Sequence, residues 1–388
     1  MNSMTNSRMA SIGKPLRGFS LIEVIVGMAI GLLCTLVIAT VLSSVEGQRR
    51  GTTQGSDAQV NGTLALYSVQ REVAMAGYGF ASEAPAVGCT LQAMYNNAAV
   101  TALPPRLAPV MITQGADGRS DTLRVLASSK FIDGNAATRH DIGYTVPTRV
   151  LSTYDPNDLG PTRAYQYQVS SLLSIVQGDL MVAVIDAATP CGLFQVTGVQ
   201  DHATMGRLVL RADDSPKWNA PRHPAQVANN GAFLVNLGRV SDVSFTVDAN
   251  QRLMRSELNT RSMSRIENAV QSNIVLLKAM YGRDTDGNLT VDTYDYTTPT
   301  TNAGWLSVLT VRLVVVARSA QYEKDKVTTK APQWDVGASA SVSGAVACGT
   351  SKCVELKVDT QDDWEHYRYQ IFDTVIPLRN QRWKAGGS

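Results

Sequence analysis

The sequence predicts an α+β protein: a long N-terminal helix, its first part apolar enough to span a bilayer, packed on a large antiparallel β-sheet body. Three observations lead there. An uncharged 22-residue run covers Val24–Val45. A helical repeat of apolar residues continues to about residue 77, and beyond residue 80 short Val- and Leu-rich runs alternate with turn chemistry. The implied organisation is a polar leader at 1–18, a transmembrane helix at 19–45, its amphipathic continuation at 46–80, and a β-rich globular part at 81–388.

The first element is the leader. It carries Arg8, Lys14 and Arg17 and no acidic residue. Such a basic flank favours the cytoplasmic side, although Arg49 and Arg50 beyond the span weaken the asymmetry. The expected topology is a single pass with the leader inside and the remaining chain exported. As a helix the uncharged run reaches about 33 Å, matching a bilayer core of roughly 30 Å. It is too long for the apolar centre of a cleaved secretory signal. Glu23 stands at its mouth. An acid there is costly, so it calls for a partner and a function.

Arg17-Gly18-Phe19-Ser20-Leu21-Ile22-Glu23-Val24 resembles the class III signal of type IV pilins and type II secretion pseudopilins. The resemblance implies that a prepilin peptidase cuts after Gly18 and that Phe19 becomes the methylated first residue. Glu23 is then the fifth residue of the mature chain. It would pair with the amine of Phe19 on a neighbouring helix and set axial register in a fibre.

In the second element Val60, Leu64, Tyr67 and Val73 recur near the helical period, so that face is expected to pack on the body. Gly47, Gly51 and Gly55 suggest a bend or a melted segment, and Gly77-Tyr78-Gly79 an exit from the helix. Arg71–Tyr78 is similar to the helix exit of the PilW family of minor pilins.

The body reads as strands at Asp121–Ala127, Asp179–Ile185, Leu193–Val199, Arg207–Arg211 and Phe233–Leu237. A hairpin of Val243–Val247 with Arg252–Glu257 follows, and then Asn273–Tyr281, Leu306–Ala317, Val354–Val358 and Tyr367–Val375. The stretches 82–118, 146–170 and 213–230, rich in Pro, Asn, Ala or Thr, read as surface loops. Asn273–Gly287, Leu306–Ser319 and Trp364–Asn380 resemble the PilW family, which leaves about 82–240 unassigned.

Of five cysteines, Cys34 lies in the apolar run. Cys89, Cys191, Cys348 and Cys353 form an even set suited to an oxidising compartment. They allow three pairings, and the sequence does not choose among them. One pairing joins Cys348 to Cys353 across a short loop, worth about 2 kcal/mol, and leaves Cys89 with Cys191. Free buried thiols are the alternative; zinc is disfavoured by the lack of a paired CxxC.

Asp284, Asp286, Asn288 and Asp292 present oxygen ligands at alternating positions, a weak calcium candidate. Gly287 comes fourth rather than sixth in the loop and no distal Glu follows, so a metal-free acidic turn is the stronger reading. No other cofactor is indicated. His140, His202, His223 and His366 stand apart, no catalytic motif is present, and no catalytic residue is assigned. Trp364, Tyr367, Tyr369 and Phe372 divide between two strand faces as packing residues, and Arg379 reads as a solvated arginine.

Composition sets the outer limits. Among 388 residues, 35 Lys plus Arg oppose 33 Asp plus Glu, a net charge of +2 that offers no electrostatic footprint for nucleic acid. With 44% hydrophobic and 18% charged residues the chain is neither disordered nor highly charged. The resemblance implies a non-enzymatic minor pilin in type IV pilus biogenesis, placed in a priming complex at the fibre tip. Its partners would be other minor pilins, the major pilin, the prepilin peptidase, the inner-membrane assembly platform and a tip adhesin. A type II secretion pseudopilin is the alternative within the class. A membrane-anchored periplasmic binding module or enzyme is the alternative outside it.

Overall fold

The computed structural model describes residues 18, 20–131, 145–154, 164–212, 217–219 and 231–382. Phe19, nearly all of the leader, His140, His223 and most of 213–230 lie outside the described residues. The chain divides into two compact units, Met1–Gln54 and Gly55–Ser388.

One α-helix spans Leu21–Ala74. It runs through Gly47, Gly51 and Gly55, so the expected interruption is not there; a single Gly costs only about 1 kcal/mol in a helix. In the first unit, Leu21–Leu42 has a mean hydropathy of 2.6 and none of it is buried. Its two threonines turn their hydroxyls back on the helix. Thr35 Oγ1 donates to Leu32 O at 2.9 Å and Thr40 Oγ1 to Val37 O at 2.8 Å. No polar side-chain proton of these residues is left facing an apolar surround.

In the second unit the helix buries Ala58, Gly62, Ala65, Val69 and Val73. This corrects the expected stripe. Val73 is buried, but Val60, Leu64 and Tyr67 are 53%, 48% and 61% exposed. The reason is close approach: a Cβ on Gly62 would fall inside the ring of Phe372. The small-residue face therefore lets the helix backbone settle onto the sheet, and bulkier side chains turn outward. The exit follows as expected, with Gly77 and Gly79 at φ +75° and +89°. Gly77 N–H donates to Leu126 O at 2.8 Å, tying the helix end to the body.

Under this helix lies a four-stranded sheet in the order Thr293–Asp295, Ile274–Arg283, Val308–Arg318, Tyr369–Pro377. Its two central strands, Ile274–Arg283 and Val308–Arg318, are near-continuous apolar runs because both of their faces are covered. Val311, Leu313, Val315 and Ala317 join the main core with the helix, while Val314 and Val316 join a second cluster with Trp334, Val336 and Leu356. That second cluster is roofed by a small sheet of Gln333–Asp335, Ser351–Glu355 and Val346–Cys348.

A five-stranded sheet runs Ser264–Ser272, Arg252–Asn259, Ser241–Val247, Thr122–Ala127, Val110–Thr113. It contains the expected hairpin, with Val247 opposite Leu253. Its outermost strand, Ser264–Ser272, has no apolar alternation to announce it.

The unassigned middle folds as an eight-stranded sheet lying wholly within 91–238. Leu180–Val184 is buried at every position: Leu180, Val182 and Val184 enter the main core, and Met181 and Ala183 a separate one with Tyr167, Phe194 and Leu234. Two expected loops are corrected here. Thr148–Tyr154 and Ala164–Val169 are paired strands of this sheet, and 82–118 contributes Leu91–Gln92 and Val110–Thr113 to sheets. The run expected at Leu193–Val199 is split between Cys191–Gln195 and Gly198–His202. Among the described strands all ladders are antiparallel except Leu91–Gln92 with Cys191–Gly192. The class is α+β, an N-terminal apolar helix with a large antiparallel-rich body.

Candidate functional site

The site is the exposed start of an apolar helix rather than a pocket. Glu23 lies in the first turn of the helix, its N–H bonded to Ser20 O at 3.0 Å. The exposed N–H groups of that turn give a carboxylate a favourable local field. The side chain is exposed, and among the described residues no cation lies within ion-pair distance. Leu21, Ile22, Val24 and Ile25 around it are 78%, 69%, 44% and 56% exposed. Fourteen large apolar side chains of Leu21–Leu42 are exposed in this way, a face that calls for a cover of lipid or neighbouring helices. Gly18 precedes this turn in open space, with no heavy atom near its missing Cβ.

The four body cysteines are joined as Cys89–Cys191 and Cys348–Cys353. The first ties the chain just beyond the helix exit to the eight-stranded sheet, and the second closes the hairpin of Val346–Cys348 with Ser351–Glu355. Cys34 is free and exposed on the apolar helix.

At the acidic turn the oxygens of Asp284, Asp286 and Asp292 converge within 4.8 Å of one another. They are also engaged in building the turn. Asp284 Oδ1 accepts from Gly287 N at 2.7 Å and Asn288 N at 3.2 Å, and its Oδ2 accepts from Leu289 N at 2.8 Å. Asp292 Oδ2 accepts from Thr285 N and Oγ1. Asn288 Nδ2 donates to Asp286, while its Oδ1 accepts from Thr290. Burial alone would raise the Asp284 carboxyl, but these backbone N–H groups outweigh it and hold it below the usual range.

His202 closes its own turn by accepting from Thr204 and Met205 N–H. His366 stacks on Tyr322, ring centroids 4.6 Å apart, with Nδ1 2.7 Å from Glu323 O. The four aromatics are all half-buried. Phe372 meets the helix at Gly62, and on the other face Tyr369 donates to Trp364 O at 3.1 Å. Arg379 opens a short helix, Arg379–Arg382, and is exposed.

Three buried ionic ties were missed in the sequence. Lys130 pairs with Asp179 at 2.8 Å, Asp242 accepts from both Arg124 and Arg265, and Lys278 pairs with Asp121. A signal did exist for the last: Lys278 interrupts an otherwise unbroken apolar strand, and a lysine in such a place is rarely buried without a partner.

Against known proteins, the family described as Type IV Pilus-assembly protein W, PilW, matches residues 240–380. The prokaryotic N-terminal methylation motif matches residues 15–44. No match was found among curated proteins or solved structures. The PilW match takes in all of the four-stranded sheet and its roof, and three strands of the five-stranded sheet. An exposed apolar helix carrying the methylation motif, followed by this sheet body, supports a type IV pilus-related pilin with a membrane anchor. Residues 240–380 are similar to PilW, and the two matches together support a PilW-like type IV minor pilin. Domains of this class are structural, and they interact with other pilus components.

Proposed function

We propose that this chain is an assembly subunit in type IV pilus biogenesis and takes its place in a priming complex at the fibre tip. The observation that carries the reading is the Leu21–Leu42 span, apolar and wholly exposed, with one acid at its mouth. In the inner membrane the span is held by lipid, with the body on the periplasmic side. In the fibre, helices of other minor pilins and of the major pilin replace that lipid. Prepilin peptidase removes the leader after Gly18, and the new amine of Phe19 is methylated. Glu23 then meets the amine of a neighbouring subunit where little water competes. A one-residue slip would leave the charge unpaired, so the pair sets register as well as holding the subunit. The large eight-stranded sheet supports a tip position, because a bulky body is poorly suited to a repeating shaft.

Mass spectrometry of the mature N-terminus tests the first half of this reading. A chain starting at methylated Phe19 supports it, and a chain retaining residues 1–18 overturns it. Glu23→Ala tests the second half: it should be processed normally yet fail to enter the complex with other minor pilins. Full incorporation of that variant would remove the register role.

A further inference from the structure

The triplet Asn-X-Ser/Thr, with X other than proline, is an acceptor for N-linked glycans on exported chains. It occurs twice in this sequence, as Asn61-Gly62-Thr63 and as Asn288-Leu289-Thr290. A pattern this short arises readily by chance, so the surroundings of each copy decide. The amide nitrogen has to be open to a bulky donor, and the hydroxyl two residues on has to be presented on the same side.

The first copy meets neither condition. Asn61 and Thr63 lie in the helix Leu21–Ala74, where residues two apart do not face each other. Asn61 is half-buried, its Oδ1 accepting from Gln271 Nε2 at 2.6 Å, and Gly62 is seated against Phe372. Thr63 Oγ1 turns back on the helix and donates to Gln59 O at 2.7 Å.

The second copy meets both. Residues 285–290 are all exposed, in the connection between Ile274–Arg283 and Thr293–Asp295. Beside the asparagine, a Cβ on Gly287 would find no heavy atom within 4 Å. Thr290 N donates to Asn288 Oδ1 at 2.7 Å, and Thr290 Oγ1 donates to the same oxygen, so amide and hydroxyl stand together. An asparagine Nδ2 carries two protons. Asp286 Oδ2 accepts one of them at 2.8 Å, and among the described residues the other has no acceptor. Replacing that second proton leaves the hydrogen bonds of the turn in place.

We infer that Asn288 is a site of N-linked glycosylation. Its Nδ2 attacks the anomeric carbon of a sugar joined through pyrophosphate to a lipid carrier. A C–N bond forms and the C–O bond to phosphate breaks. The lipid pyrophosphate leaves with the electron pair, and the displaced amide proton passes to a base of the transferase. The inference rests on the export of the body that the assembly reading requires.

The test is glycopeptide mass spectrometry of the full chain purified from its native cells. It reads the tryptic peptide 284–312 with fragmentation that keeps a sugar on its side chain. The expected result is a sugar mass increment located on Asn288 and none on Asn61. Asn288→Gln and Thr290→Val should abolish the increment, and Thr290→Ser, which keeps the hydroxyl, should retain it. The wild-type reading is decisive whether or not the variants fold. A bare Asn288, an increment carried by another residue of the peptide, equal modification of Asn61, or an increment that survives Thr290→Val each overturn the inference. The mature N-terminus, read on the same samples, separates the two claims. A chain cut after Gly18 with Asn288 bare sinks the glycan alone, and a chain retaining residues 1–18 sinks the assembly reading.

Discussion

Lys278 Nζ lies 2.5 Å from Asp121 Oδ1, with the carboxylate fully buried, and the pair locks the five-stranded sheet to the four-stranded one. Asp121 precedes Thr122–Ala127, and Lys278 sits in Ile274–Arg283. The tie is reinforced by backbone: Asp121 Oδ2 accepts from Ala279 N at 3.0 Å, and Asp121 N donates to Leu277 O at 2.8 Å. Removing one partner of such a pair strands a charge. Lys278→Met should lower stability by about 3–5 kcal/mol in denaturant unfolding of the detergent-solubilised protein. Lys278→Met combined with Asp121→Asn should recover part of that loss.

The helix seat gives a second expectation. Gly62→Val would drive its side chain into Phe372 and should cost about 1–3 kcal/mol. Leu64→Ser and Tyr67→Ser, on the exposed face, should stay within about 0.5 kcal/mol of wild type. Melting curves of the three variants decide it. A reversed order would restore the stripe first read from the sequence.

Acid sensitivity should come from the turn at 284–292 and not from the buried pair. Asp284 and Asp292 titrate below their ordinary value, Asp292 through the N–H and hydroxyl of Thr285. Their contribution is present above the unfolded value of about 3.9 and is lost as pH falls through the lower folded value. Asp121 is displaced the other way, because burial outweighs Lys278. Its carboxyl takes up a proton more readily than in the unfolded chain, so this group does not add to the acid loss. Asp284→Asn should flatten the fall in melting temperature between pH 5 and about pH 2–3, and Asp121→Asn should leave that fall in place. Run with calcium and with chelator, the same melts should coincide. A calcium-dependent rise that vanishes in Asp286→Ala would make the turn a metal site.

The two disulfides differ in the loops they close, with sequence separations of 102 and 5. Chain entropy assigns them about 4.7 and about 2 kcal/mol. Serine replacement of Cys89 and Cys191 should therefore cost more than replacement of Cys348 and Cys353. Hydrogen exchange should also rise in Leu91–Gln92 and its partner strand in the first case only.

What could be read in advance followed from how strongly each residue constrains its surroundings. The apolar span and its acid leave little freedom, and strands buried on both faces, such as Val308–Arg318, show as apolar runs. Ser264–Ser272 has one solvated face and charges on it, so its strand character comes from its neighbour Arg252–Asn259 rather than from its own pattern. Thr148–Tyr154 and Ala164–Val169 pair with each other across a segment whose composition suggests a loop. The helix face was misjudged because apolar bulk was weighed and smallness was not: Ala58, Gly62 and Ala65 carry the contact. The buried ion pairs depend on residues more than a hundred positions apart in two of three cases, a relation that local pattern does not carry.

Val110–Thr113 and Thr122–Ala127 leave the middle of the chain to complete the five-stranded sheet, and the chain then returns to build the eight-stranded one. The two regions are thus woven together, not strung in series. A fragment beginning at residue 240 would keep every residue matched to PilW and yet lose the neighbour of Ser241–Val247. That strand would face water with a raw, sticky flank. Excision at the family boundary should yield clumped material, and only cuts that respect the weave should give soluble pieces.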